Sequence, residues 1–177
     1  PSTAYYWRVR ANNICGTGSY SALAAFMTAN VATASFCRTP NLPIPDNNTT
    51  GVTDSQVVAT AATLTDLNVS VRTTHTWVGD LKVWLVNPAS QSLVLMMRPG
   101  SPATALGAFA NLSQNVPITY TDGGQASAEA MGAGLTGLQV ICQQNGICRF
   151  SPNRDGQSST FDTFSGFVGQ TAAGTWQ

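Results

Sequence analysis

Charge is what this sequence is short of. Only 9% of its 177 residues are Asp, Glu, Lys or Arg, against about 25% in ordinary soluble domains. It has one histidine (His75), one glutamate (Glu129) and one lysine (Lys82), beside seven arginines. A helical cytosolic enzyme needs Glu, Lys and Arg on its helix surfaces, so that class does not fit. Net charge is zero and no basic stripe runs through the chain. The electrostatic footprint of a nucleic-acid binder is therefore missing.

Other absences narrow the field further. No apolar run approaches the ~20 residues that span a bilayer. The opening "PSTAYYWRVR" reads as strand rather than leader, so the chain reads as an internal piece of a longer protein. The four cysteines make no C-x-x-C, and one histidine does not build a structural zinc site. There is no H-E-x-x-H, phosphate loop, G-x-G-x-x-G or G-x-S-x-G elbow. Most acids sit in Gly- and Asn-rich turns, where Asp satisfies local backbone, so a glycosidase pair lacks support. His75 is the only candidate base, and a triad also needs an exposed nucleophile and a pocket. His75 and Asp80, five residues apart in "TTHTWVGDL", read instead as a pair that pins a loop. The fragment is expected to have no catalytic residues.

What is present points to an extracellular β protein. The chain is 43% hydrophobic, enough for a core, and Thr, Ser, Asn, Ala and Gly supply an uncharged polar surface. "AYYWRVRANN" alternates Tyr5, Trp7, Val9 and Ala11 against Tyr6, Arg8, Arg10 and Asn12, the pattern of a strand with one buried face. A turn-rich "CGTGSYS" and a weaker strand "ALAAFMT" follow. Further on, Leu67, Val69 and Val71 alternate with polar neighbours, as do Leu81, Val83 and Leu85, and Val116, Ile118 and Tyr120. "QVVATAATL" and "SLVLMM" read as further strands, and "TFSGFVG" and "GTWQ" as aromatic strand ends. "SAEAMGAGL" allows one short helical turn. Turn signals every 8–12 residues imply an antiparallel meander in a sandwich or jelly roll.

An even cysteine count in a charge-poor β protein favours disulfides. Cys142 and Cys148 flank "QQNGI", whose Asn145-Gly146 marks a turn, so they are expected to close a short loop. Cys15 and Cys37 then pair by default or remain free. Oxygen-rich turns at Asp46, Asp122 and Asp155 are candidates for calcium, which accepts loop carbonyls and carboxylates; ordinary turns are the leading explanation of all three. Four N-x-[ST] sequons, at Asn47, Asn48, Asn68 and Asn111, indicate only polar surface.

Two stretches resemble known families. "YYWRVRANNICGTGSYSALAAFMT" is similar to the end of a fibronectin type III domain, covering residues 1–28. Residues 29–36 read as a linker. Residues 37–177 resemble the P domain (P/Homo B domain) of proprotein convertases in its bacterial form. That likeness rests on "IPDNNTTGV", "LNVSVRTTHTWVGDLKVWLVNP", "LMMRPG", "FSPNRDG", "FSGFVG" and "GTW", in order. It implies a jelly-roll β-sandwich beside a subtilisin-like or metallopeptidase domain of the same parent chain, secreted by a bacterium, supporting the folding and stability of that enzyme. It also implies structural roles for His75, Gly79, Asp80 and Trp176. Asp80 is expected to face inward and accept loop amides at the end of a hairpin joining "LNVSVRT" to "LKVWLV". The family continues past Gly-Thr-Trp into a last strand, and this chain stops at Gln177. Residues 5–12 share the period of that strand and are expected to pack on or pair with the sheet, in the same chain or a neighbour. The competing class is a cell-surface module binding carbohydrate or protein, with Trp77 either a stacking platform or a lid over the sandwich end.

Overall fold

The computed structural model describes residues 2–28 and 32–177. They divide into two units, Pro1–Ser35 and Phe36–Gln177. The linker expected at 29–36 therefore lies partly outside the described residues. Strands dominate both units, and the helical structure described is confined to three short 3-10 turns. The chain is all-β, as its alternating patterns require.

The smaller unit holds four strands, β1 (Ala4–Trp7), β2 (Arg10–Asn13), β3 (Gly16–Tyr20) and β4 (Ala24–Met27). β1 pairs antiparallel with β4, and β2 with β3. The long strand read at "AYYWRVRANN" thus breaks at Arg8-Val9, and the supposed turn "CGTGSYS" is mostly β3. Val9 stays tied to the hairpin, since Ser21 N–H donates to its carbonyl (2.7 Å) and Ser21 Oγ accepts its N–H (3.1 Å). The face expected to be buried is open: Tyr5, Trp7 and Val9 are 50%, 52% and 59% exposed. Two-stranded ladders have too few apolar neighbours to cover such a face, and Tyr5 finds only Phe26, stacked at 5.3 Å. The ladders formed by residues 5–12 are internal to this unit.

The larger unit carries β5 (Gln56–Val58), β6 (Val69–Val71), β7 (Lys82–Val86), β8 (Ser92–Met97), β9 (Ile118–Tyr120), β10 (Ala126–Ser127), β11 (Arg149–Ser151) and β12 (Gly174–Trp176). One four-stranded sheet runs β10-β11-β9-β6, and the pairs β7-β8 and β5-β12 stand beside it. Gln177 exchanges two backbone hydrogen bonds with Val86, at 2.7 and 2.9 Å, which carries the β12 line onto β7. The alternation read for β6, β7 and β9 holds: Val69, Val71, Leu85, Ile118 and Tyr120 turn inward while Ser70, Lys82 and Trp84 stay out.

The meander does not form. β6 pairs with β9 rather than β7, and β11 joins β9 and β10 in parallel. Alternation sets which face a strand buries but not its neighbour. β8 lies deepest, with Leu93, Val94, Leu95 and Met96 at 1% exposure or less. Around it pack Phe150, Phe164, Phe167, Met131 and Ile141. "TFSGFVG" is a 3-10 turn, Phe164–Phe167, not a strand end. Its two phenylalanines enter the core three residues apart, which a 3-10 turn allows and a two-residue repeat does not. The helical turn expected in "SAEAMGAGL" is the 3-10 turn Ala128–Ala130. Cys142 and Cys148 form the expected disulfide.

Gly79 fixes one end of this unit. A Cβ there would lie 2.5–2.7 Å from the backbone of Gly107 and Ala108. Gly79→Ala is expected to cost about 1–3 kcal/mol or more by overpacking. Asp80→Ala, at the exposed neighbour, should stay within about 0.5 kcal/mol. Paired urea melts check both, and an unchanged Gly79→Ala midpoint would refute the close crossing.

Candidate functional site

The segment His75–Leu81 and the strand-like run 108–112 face each other at one end of the larger unit. His75 and Leu112 exchange backbone hydrogen bonds at 3.2 and 2.8 Å. Val78 N–H donates to Ala110 O (3.0 Å) and Gly79 N–H to Ala108 O (3.1 Å). This pairing buries Val78 completely, and Leu81 follows it into the core. Gly107, at φ +70°, is the partner that lets the two backbones meet, because its own Cβ would stand 2.6 Å from Gly79. Arg98 closes the corner, donating from Nε to Gly79 O (3.2 Å) and from a terminal nitrogen to Ala105 O (3.3 Å).

His75 is half-buried and its Nδ1 accepts the Trp77 N–H at 3.1 Å. The ring thus acts on its own loop, as in the pinning role read from the sequence, but Asp80 is no partner in it. Asp80 is exposed, closing the 3-10 turn Val78–Asp80, and its backbone N–H donates to Trp77 O. The expected inward carboxylate is corrected: the buried member of the Gly-Asp step is the glycine, because only a residue without a side chain fits the crossing. There is no β6–β7 hairpin for Asp80 to close.

Trp77 lies against Phe109, with ring centroids 4.0 Å apart and planes within 20°, and its indole N–H donates to Leu106 O (2.9 Å). Gly137 backs the Phe109 ring so closely that a Cβ would meet it at 2.2 Å. Phe109 itself is 46% exposed. No period along the chain pairs Phe109 with Trp77. Trp176 is 8% exposed, edge-on to Phe167 at 5.5 Å, and its indole N–H donates to Ala172 O at 2.8 Å.

The three aspartates considered for calcium are not brought together. Among the described residues, no three His, Cys, Asp or Glu side chains converge on a point. Asp122 is spent on structure: its two oxygens accept the N–H groups of Phe164 (2.7 Å) and Ser165 (2.8 Å), capping that 3-10 turn. Asp46 is exposed in a turn, and Asp155 is exposed at φ +42° beside Asn153 Oδ1, which accepts its N–H. Cys15 is exposed at the β2–β3 turn, and Cys37 is exposed at the start of the larger unit.

Glu129 was not singled out by any motif, yet it ties three segments. Its Oε1 accepts Gly100 N–H and its Oε2 accepts the Asn153 amide, both at 3.1 Å. Burial, and then the charge of nearby Asp155, hold its carboxyl above the usual Glu value despite these two donors. Tyr120, buried with only Met96 Sδ to receive its hydroxyl at 3.5 Å, is pushed well above the usual phenol range by desolvation. Glu129 thus holds the segments of Gly100 and Asn153 to its own turn. No helix of the described residues is long and apolar enough to cross a membrane. Comparison of the chain with protein-family models, with curated proteins and with solved structures gives no match in any of the three.

The raised Glu129 value has a sign. The folded state holds this proton more tightly than the unfolded chain, so stability falls as pH rises from the unfolded Glu value through the folded one. Glu129→Gln keeps an acceptor for Gly100, removes the charge and gives up the acceptor for the Asn153 amide. The variant should lose that part of the pH dependence. Thermal melts between pH 4 and 7 check this, and a slope of melting temperature against pH equal to the parent's would contradict it.

Proposed function

We propose that the larger unit is the non-catalytic accessory P domain of a secreted bacterial peptidase, a jelly-roll-type sandwich preceded by the end of a fibronectin type III module. The observation that carries this reading is the way "HTWVGDL" is used. Every position in it with a resolved role serves the fold: His75 caps its loop, Val78 and Leu81 fill the core, and Gly79 admits the crossing chain. The resemblance assigns that segment structural roles; the placements of His75 and Gly79 support that reading, and the exposed Asp80 does not. The non-local pairings β5–β12 and β6–β9 suit a sandwich whose last strands return to its first. A disulfide suits an oxidising, extracellular setting. The partner is then the catalytic domain of the same parent chain, and the fragment's contribution is folding and stability of that enzyme.

The competing carbohydrate-binding reading depends on Trp77 offering an open ring. One face of that ring is taken by Phe109 and its N–H by Leu106, so Trp77 supports the lid role instead. Two measurements test the proposal. Purified chain should leave a casein substrate intact, with His75→Ala making no difference, and the reading frame upstream of Pro1 should encode a peptidase domain. Hydrolysis that His75→Ala abolishes, or an upstream frame without a peptidase, would overturn it.

A further inference from the structure

The zero net charge conceals a division. Residues 1–35 contain Arg8 and Arg10 and no acid, while all eight acids lie at Asp46 or beyond. Both arginines of the smaller unit are exposed, and both sit on one ring: the guanidinium carbons are 3.8 and 4.9 Å from the Tyr20 centroid. The geometry follows from the strands. Tyr20 is the cross-strand partner of Arg10, and Arg8 reaches the same ring from the break that precedes β2. Among the described residues neither guanidinium has a carboxylate or a hydrogen-bond acceptor; the two ion pairs found are Arg38–Asp54 and Arg154–Asp162.

A guanidinium laid on an aromatic ring loses rotamer freedom but keeps its N–H edges for an oxyanion. Two such groups over one ring are already oriented, within the sum of those two centroid distances of each other. We propose that Arg8, Tyr20 and Arg10 form a carboxylate clamp on the fibronectin-like unit, and that its ligand is an extended acidic peptide with Asp or Glu at alternate positions. The spacing selects a peptide. Side chains two apart on an extended strand recur about every 6.8 Å on one face, a span that fits inside the sum of the two centroid distances. Carboxylates at i and i+2 therefore meet the two forks in register, each able to accept a bidentate pair. This proposal concerns residues 8–20 and stands or falls apart from the accessory-domain reading of residues 36–177.

Fluorescence anisotropy on the full chain tests it, using a labelled, end-capped peptide that alternates Asp with Ser. Binding should weaken as salt is raised, and the same peptide with Asn for Asp should not bind. Arg8→Gln with Arg10→Gln should weaken binding about tenfold or more, the scale of one lost charge-assisted hydrogen bond. Arg8→Lys with Arg10→Lys keeps the charge and removes the fork, and should also weaken it. Arg149→Gln lies on the other unit and should bind as the parent does. Far-ultraviolet circular dichroism confirms that each variant is folded. No binding, equal binding by the lysine pair, equal binding of the Asn peptide, or preference for a polyuronate over the peptide would each overturn the clamp.

Discussion

The larger unit depends on a place where no side chain fits. Gly79 and Gly107 bring two backbones into direct contact, and the hydrogen bonds on either side of that contact hold the segments 75–79 and 108–112 together. Three consequences follow from it. Val78 is driven fully into the core, the chain turns into β7 with Leu81 facing inward, and Trp77 is left to cover the corner against Phe109. A methyl group at either glycine would separate the strands by more than a hydrogen bond tolerates. The conspicuous residues of the motif, His75 and Asp80, are secondary to this pair of glycines.

Scarcity of charge shapes the rest. With eight acids in 177 residues, the unit satisfies its loops through side-chain amides and individual carboxylates rather than ion-pair networks. Asn87 is the clearest case: buried at 4%, it donates to Gln91 and Gln170 and accepts from the Ala89 and Gln91 amides. Asp122 and Glu129 do the same work with charged acceptors. Such groups hold loops without the salt sensitivity of a surface ion pair.

How much of this could be read in advance divides by physical cause. The inward residues of β6, β7 and β9 were legible because alternation is a local property of a half-buried strand. Strand partners were not, since β6 could pair with any exposed edge and its choice of β9 is made by the whole core. The apolar face of Tyr5, Trp7 and Val9 was read correctly as a face and wrongly as buried, because burial needs an opposite layer that four short strands do not supply. "FSGF" misled for a related reason: its phenylalanines repeat at three, which fits a 3-10 turn, while its aromatics suggest strand. In Gly79-Asp80 the charged residue drew attention, but the absent side chain did the structural work. The disulfide was legible because Asn145-Gly146 marks a turn between two nearby cysteines. Glu129 and Phe109 had no signal at all, for their partners come from distant loops.

If the crossing at Gly79 and Gly107 organises the larger unit, its amides should open only when the unit does. Native-state hydrogen exchange reads this directly at Val78, Gly79, Ala108 and Leu112, whose N–H groups donate to Ala110, Ala108, Pro99 and His75. The account predicts that these four exchange as slowly as the buried strand β8. Exchange at the rate of exposed loops, with β8 still protected, would contradict it.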